Sequence, residues 1–290
     1  MYLSAEAASV DALWKSAGHA LLVFGDGTKS RNGDARELCG VSLRLTDPTK
    51  NWLTNLVRKA SPVYAAGEFL WYLSGSNSGK HICHYAPQYK RFLESDGTAF
   101  GAYGKRIEQY DQLHRVYKIL LKDPTSRQAI ISLWDQSKDS FEAFFGKVRD
   151  LPCTLSLQFL IRNGFLNCIA TMRSNDFWLG FPYDIFCFTS FQRLLAEMLG
   201  LNIGWYQHNV GSFHVYQKDI EKVEKSLAAD IGYVVLTTKY SKLNHNEFIS
   251  ELVEFESVYR FHPLLANKIA ELEDKLGKDT YWLMLVLLSA

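Results

Sequence analysis

Two β-rich runs meeting at Asn163-Gly164 constrain the fold of this chain more than any other feature. Thr154 to Ile161 and Phe165 to Met172 are rich in strand-forming residues, and Asn-Gly tolerates the left-handed backbone of a two-residue turn. The runs are therefore expected to fold back on each other as a hairpin. Around them the pattern alternates between helix and strand. Residues 5 to 17 read as an amphipathic helix, and 18 to 47 as alternating strand and turn with a loop at Arg31-Asn32-Gly33-Asp34. Ser61-Pro62 supplies an N-cap and a first helical residue, for a helix through Leu73 that stops at Gly75. Residues 76 to 100 read as polar and irregular, Asp111 to Leu121 as helix, Ala129 to Trp134 as strand, Ile185 to Leu199 as a buried helix, Tyr233 to Thr238 as strand, and 264 to 278 as a charged amphipathic helix. Strands separated by helices, with a hairpin among them, imply an α+β class with a mixed sheet and packed helices. No repeat or low-complexity linker divides the sequence, so residues 1–290 are expected to form one domain, with an extra helical tail from about 265.

The composition narrows the classes of function. A chain of 290 residues that is 47% hydrophobic and 14% aromatic can bury a large core. Its net charge of +1 provides no overall attraction to nucleic acid or membrane, so any bound anion must meet a local cluster. Five cysteines without a CxxC pair favour reduced thiols and a cytoplasmic protein. Glu6, Asp11 and Lys15 interrupt any signal-like run at the start, and Tyr281 to Ala290 is too short to span a bilayer.

Several residues invite chemistry. Cys153 follows Leu151-Pro152 and precedes an alternating run; a free cysteine is usually a small buried hydrophobe, but with a cation beside it the thiolate becomes a nucleophile. The expected hairpin brings Arg173 to that position, and a guanidinium also binds phosphate bidentately. Glu68 is the only charge between Val63 and Leu73, and reads either as a residue reaching the surface or as a half-buried carboxyl fit to shuttle protons. Arg127 and Arg31 are ordinary solvated arginines when read alone. His214 and Tyr216 stand two apart and share a strand face, where a structural hydrogen-bonded pair is the default. His81, Cys83 and His84 lack a fourth partner for a metal, and there is no Walker loop or GxGxxG.

In order, these residues resemble the thymidylate synthase and pyrimidine hydroxymethylase family, over about residues 20 to 265. Pro152-Cys153 followed by Gln158-Phe159 is similar to the nucleophile segment. Arg173-Ser174-Asn175-Asp176 and Leu179-Gly180-Phe181-Pro182-Tyr183-Asp184 are similar to its phosphate and folate motif. The Glu68 to Leu73 helix, Tyr103-Gly104-Lys105, His214 with Tyr216, and His262-Pro263 complete the series. The resemblance implies a homodimer joined through sheet faces. It implies Cys153, Glu68, Asp184 and Tyr103 as catalytic groups, and Arg31, Arg127, Arg173, Ser174, Gln158, Asp184, His214 and Tyr216 as nucleotide-binding groups. Arg127 would reach the partner's phosphate site, with Gln128 in place of a second arginine. Asp176 and Gly180 would meet 5,10-methylenetetrahydrofolate, and no metal is implied.

Three departures point away from thymidylate synthesis itself. The family's base-reading asparagine is Asp184 here, and a carboxyl sharing one proton accepts from a cytosine amino group and satisfies N3. Lys80 to Phe92 lacks the family's shielding tryptophans, which would let water capture the exocyclic methylene. The residues after His262-Pro263 replace a short closing tail, and Met172 replaces a glutamine. The implied reaction is 5-hydroxymethylation of a cytidine monophosphate. Ser174 tilts the expectation to dCMP; CMP, thymidylate synthesis and dUMP hydroxymethylation stay open.

Overall fold

The structure is a computed structural model that describes residues 3–30 and 33–229 and, between 249 and 260, all but 251, 255, 258 and 259. Arg31, Tyr233 to Thr238, His262-Pro263 and 264–278 lie outside the described residues. In chain order the strands are β1 (Leu3–Ala7), β2 (Asp26–Ser30), β3 (Gly33–Leu45), β4 (Ile130–Ser132), β5 (Thr154–Arg162), β6 (Phe165–Asp176) and β7 (Asn202–Tyr216). The helices are α1 (Val10–Phe24), α2 (Pro62–Leu73), α3 (Gly79–Tyr85), α4 (Tyr103–Glu108), α5 (Gln112–Lys122), α6 (Gln136–Phe145), α7 (Phe181–Leu199) and α8 (Ile220–Ala228). One seven-stranded sheet runs β1-β3-β7-β6-β5-β4, with β2 paired to β3. β1/β3 and β6/β7 are parallel and the other pairs antiparallel, so the sheet is mixed and the class is α+β, as expected.

The hairpin forms in the expected register. Arg162 pairs Phe165, and Asn163 and Gly164 take φ of 53° and 78°, the left-handed turn that Asn-Gly favours. α2 begins as read, with Ser61 Oγ accepting from Tyr64 N at 3.2 Å and Pro62 in the first turn. The first helix differs from the 5–17 expectation. Ser9 caps it at Val10, while Leu3–Ala7 extend along β3 as an edge strand. It also runs past Gly18 to Phe24, because Gly18 is a contact point and not a turn: a Cβ there would lie 2.8 Å from Leu227 and Phe177. Residues 76–100 are not wholly irregular; α3 and a 3-10 segment at Pro87–Phe92 lie within them.

α7 lies almost entirely buried against β6 and β7, and α1 covers β3. The register of buried side chains steps at one level across four adjacent strands. Burial passes from Leu38 to Val41, from Val210 to Phe213, from Met172 to Asn175 and from Thr154 to Leu157, and neither residue in between is buried. A bulge at Thr154/Ser156 and Gly40 at φ 74° accommodate the step. Cys153, Arg173 and Ser174 sit at this level, and Asn175 turns into the core just beyond it.

Candidate active site

Strand pairing assembles the thiol corner. Arg173 N donates to Cys153 O at 2.8 Å, continuing the hairpin beyond the Thr154–Met172 pair. The guanidinium is anchored on the same segment, with Nε donating to Pro152 O at 2.9 Å and Nη2 to Leu151 O at 3.0 Å, and it lies 5.9 Å from the Trp134 ring centroid. Nη1 makes no hydrogen bond among the described residues, so this fixed arginine still has donors to offer an anion. Arg173 does not by itself produce a thiolate. Burial pushes the Cys153 thiol up to about 11; Arg173 pulls the other way, and the carboxyls of Asp150, Asp184 and Asp176 add to the rise. In the free protein Cys153 is a neutral thiol at neutral pH.

Glu68 is buried on α2, 8% exposed, which settles the choice between surface charge and enclosed carboxyl. Tyr64 Oη donates to Oε1 at 2.6 Å and Cys187 Sγ approaches Oε2 at 3.8 Å. Burial pushes its carboxyl up to about 7, against the lowering effect of Tyr64, Tyr72 and Cys187. A group that titrates near neutrality can take a proton and return it. Tyr183 binds the start of this helix to that of α7: its hydroxyl accepts from Ser61 N at 2.9 Å and its ring stands edge-on to Tyr64 at 4.7 Å. Glu68 lies close enough to Asp184 for its charge to act on that carboxyl.

Asp184 lies in the first turn of α7, with Gly180 as N-cap and Pro182 beside it. Ionised carboxylates are favoured at a helix N-terminus, yet burial, then the charge of Glu68, holds this carboxyl well above the usual range. Its Oδ2 accepts from Asn175 Nδ2 at 2.7 Å. Asn175 Oδ1 lies 2.8 Å from His208 Nε2, and His208 Nδ1 lies 2.7 Å from Tyr206 Oη. Asn175, His208 and Tyr206 are buried at 3%, 0% and 0% exposure. Burial drives His208 down to about 3, so its imidazole is neutral. Sequence reasoning missed these three. The signal was present, since Tyr206 and His208 have the same two-residue spacing as the His214 and Tyr216 pair that was singled out.

Other expected residues divide into those brought together and those that are not. Tyr103 Oη accepts from Thr154 N at 3.1 Å and Thr154 Oγ1 at 3.0 Å, beside Cys153. Asp150, which the sequence did not single out, faces the same thiol; burial pushes it up to about 6, and Tyr89 Oη donates to it at 3.5 Å. Asp176 Oδ1 holds the turn before α7 by accepting from Trp178 N at 2.8 Å and Leu179 N at 3.0 Å, and its other oxygen makes no hydrogen bond among the described residues. His214 and Tyr216 stand edge-on at 5.1 Å, and among the described residues the buried His214 Nδ1 has no hydrogen-bond partner, Tyr216 included. Ser174 pairs with Ser212 across β6 and β7. Gln158 Nε2 is taken up by Arg127 O at 2.9 Å, so this side chain steadies the Arg127 segment; the Arg127 side chain is exposed and makes no hydrogen bond among the described residues. Among the described residues no group of His, Cys, Asp and Glu could hold a metal, and no helix is long and apolar enough to cross a membrane.

The fold brings together a cysteine beside an anchored arginine, a buried glutamate and a buried carboxyl at the head of a helix. Residues 24–270 match the family model described as thymidylate synthase. The chain belongs to the thymidylate synthase family. It is 30% identical over 262 residues to a deoxyuridylate hydroxymethyltransferase of Delftia phage PhiW-14, covering 84% of this chain and 71% of the relative. A thymidylate synthase of Francisella philomiragia is 27% identical over 219 residues, 70% of this chain and 79% of that one. A thymidylate synthase of Francisella tularensis subsp. holarctica is 26% identical over 249 residues, 81% and 90%. The family's one-carbon chemistry on a pyrimidine nucleotide, with methylenetetrahydrofolate as co-substrate, is thereby established for the class to which this protein belongs.

Proposed function

We propose that the protein transfers a hydroxymethyl group to C5 of a cytidine monophosphate, dCMP in preference to CMP. The observation that carries this reading is Asp184, a carboxyl that burial holds well above its ordinary range, at the place where the resemblance puts the base reader. It offers an acceptor to the cytosine amino group and an O–H to N3. The phosphate would be held by Arg173, Ser174, Arg31 and a second copy's Arg127, and the sugar by Tyr216 and His214, whose unpartnered Nδ1 is suited to a ligand hydroxyl.

Cys153 loses its proton as it adds to C6, with a buried carboxyl close by to receive it. The new S–C6 bond makes C5 nucleophilic. Methylenetetrahydrofolate supplies the one-carbon unit at that carbon, and the free oxygen of Asp176 fits an N–H of its pterin. Glu68 removes the C5 proton, water adds to the exocyclic carbon once tetrahydrofolate has left, and the S–C6 bond breaks. The folate returns as tetrahydrofolate, neither oxidised nor reduced. Placement in the cytoplasm, where nucleotides and reduced thiols occur, agrees with the five free cysteines.

The second sheet face is half-exposed at Ile169, Thr171, Ile203, Trp205, Gln207 and Asn209, which leaves it open to a second copy; the family resemblance implies that such a copy lends its Arg127 to the phosphate site. A second reading, dUMP hydroxymethylation, is favoured by the name of the phage relative. Incubating the enzyme separately with CMP, dCMP and dUMP plus methylenetetrahydrofolate, then weighing the nucleotide products and recording dihydrofolate absorbance, separates the readings. Hydroxymethyl-dCMP without dihydrofolate is the expected outcome; thymidylate with dihydrofolate would refute the proposal.

A further inference from the structure

A carboxyl that shares a proton with the base is on its own a poor discriminator. Its O–H and C=O exchange places when the proton moves between oxygens, so it pairs with the amino group and N3 of cytosine or with O4 and N3–H of uracil. Something must fix which oxygen carries the proton. The only hydrogen bond that Asp184 makes through its carboxyl among the described residues is to Asn175 Nδ2, 2.7 Å from Oδ2. An N–H facing Oδ2 makes that oxygen an acceptor and leaves the proton to Oδ1.

The direction of this bond is set two residues away. Neutral His208 has one donor and one acceptor. With Tyr206 donating its hydroxyl to Nδ1, the ring proton sits on Nε2 and is given to Asn175 Oδ1, which turns the amide NH2 toward Asp184. The reversed chain would leave the fully buried Tyr206 hydroxyl proton without an acceptor among the described residues, an arrangement that buried polar groups avoid. Space at this point is also restricted: a Cβ on Gly180 would lie 3.0 Å from both Asn175 Nδ2 and Asp184 Oδ2, so the amide and the carboxyl are held together beneath a bare backbone.

We infer that Tyr206, His208 and Asn175 form a positioning chain that fixes which oxygen of Asp184 donates and which accepts, and so sets which pyrimidine edge the enzyme takes. The inference rests on Asp184 as the base reader but not on which base is preferred. None of the three residues touches the reacting atoms; they act through Asp184.

The test is the ratio of dCMP to dUMP in Kd, by calorimetry, and in kcat/KM for tritium release from C5, for the full-length enzyme, Asn175→Ala and Tyr206→Phe. Asn175→Ala is expected to shrink the wild-type preference about tenfold, with the disfavoured nucleotide unchanged or improved. Tyr206→Phe, which keeps the ring and removes only the hydroxyl, is expected to shrink it about threefold. A lesion of packing alone would weaken both nucleotides alike and leave the ratio standing, and that result overturns the inference. If Asn175→Ala does not fold, Tyr206→Phe decides: a smaller preference supports the chain and an unchanged one refutes it. A wild type that prefers dUMP, with the preference shrinking in the variants, keeps the inference and removes the cytosine reading. A wild-type preference for dCMP that survives both substitutions does the reverse.

Discussion

The thiol corner and the head of α7 lie close enough for the Asp184 charge to act on the Cys153 thiol, but they are built in different ways. Cys153 and Arg173 are placed by backbone: the hairpin register, a continuing ladder bond at 2.8 Å and a guanidinium tied to two carbonyls. Asp184 is placed by helix start, but its chemistry is set by side chains reaching across two neighbouring strands. The contrast separates two properties of one enzyme. On the proposed reading, whether the ring is attacked would depend on the backbone corner, and which ring is attacked on the side-chain chain. Substitutions at one end should therefore change rate, and at the other choice.

The largest effect is expected at the thiol. Cys153→Ala should abolish C5–H exchange of the nucleotide while leaving nucleotide binding intact; tritium release that persists would remove Cys153 as the nucleophile. Glu68→Gln should lower kcat by about 10²–10⁴-fold, the usual range for a lost acid–base group. The wild-type rate profile should carry a limb with an apparent pKa of about 7, set by the burial of Glu68, and the variant should lack it. Asp184→Asn should turn the preference toward dUMP by about two orders of magnitude with a smaller change in rate, since a buried mismatch leaves a polar group unpaired. An unchanged preference would mean that another group reads the base. A subtler check applies to the free thiol: alkylation of Cys153 by iodoacetamide, followed by mass spectrometry, should still be accelerating from pH 8 to 10, because burial holds the thiol near 11. A plateau by pH 8 would show an activated thiolate that the thiol corner does not build unaided.

How much of this was legible in the sequence follows the same division. The hairpin, the α2 cap and the buried helix from Ile185 could be read because each is specified within a few residues by turn, cap or periodicity. The pairing of Arg173 with Cys153 followed directly from the hairpin. The start of the chain was misread because Leu3–Ala7 has no strand signal apart from the edge of β3, against which it pairs, and because Gly18 looks like a break when only its missing Cβ matters. The step in burial across four strands is a property of the assembled sheet, since each strand shows only one interrupted alternation. Tyr206 and His208 have a local spacing, but their partner Asn175 is 33 residues from His208, and nothing local joins them. The height of the Cys153 thiol also escaped, because it comes first from burial in the assembled fold and then from the charges of Asp150, Asp184 and Asp176, which reach it from separate segments.

The smallest expected effect compares the two buried titrating groups by stability. Glu68 has a raised folded value, so the folded state keeps a proton that the unfolded chain loses, and stability should fall as pH rises from about 4.5 to about 7. His208 has a lowered one, so the unfolded chain takes a proton that the folded state refuses, and stability should fall as pH drops from 6.5 toward 3. Urea midpoints across this range should show a shallower acid slope in His208→Gln; identical slopes would place a charged imidazole in the core.

The most direct measurement is a competition. The enzyme is given equal dCMP and dUMP with methylenetetrahydrofolate, and the nucleotides are resolved by mass as the reaction proceeds. Hydroxymethyl-dCMP formed first, with tetrahydrofolate as the released folate, is the predicted result. Hydroxymethyl-dUMP as the dominant early product would contradict it.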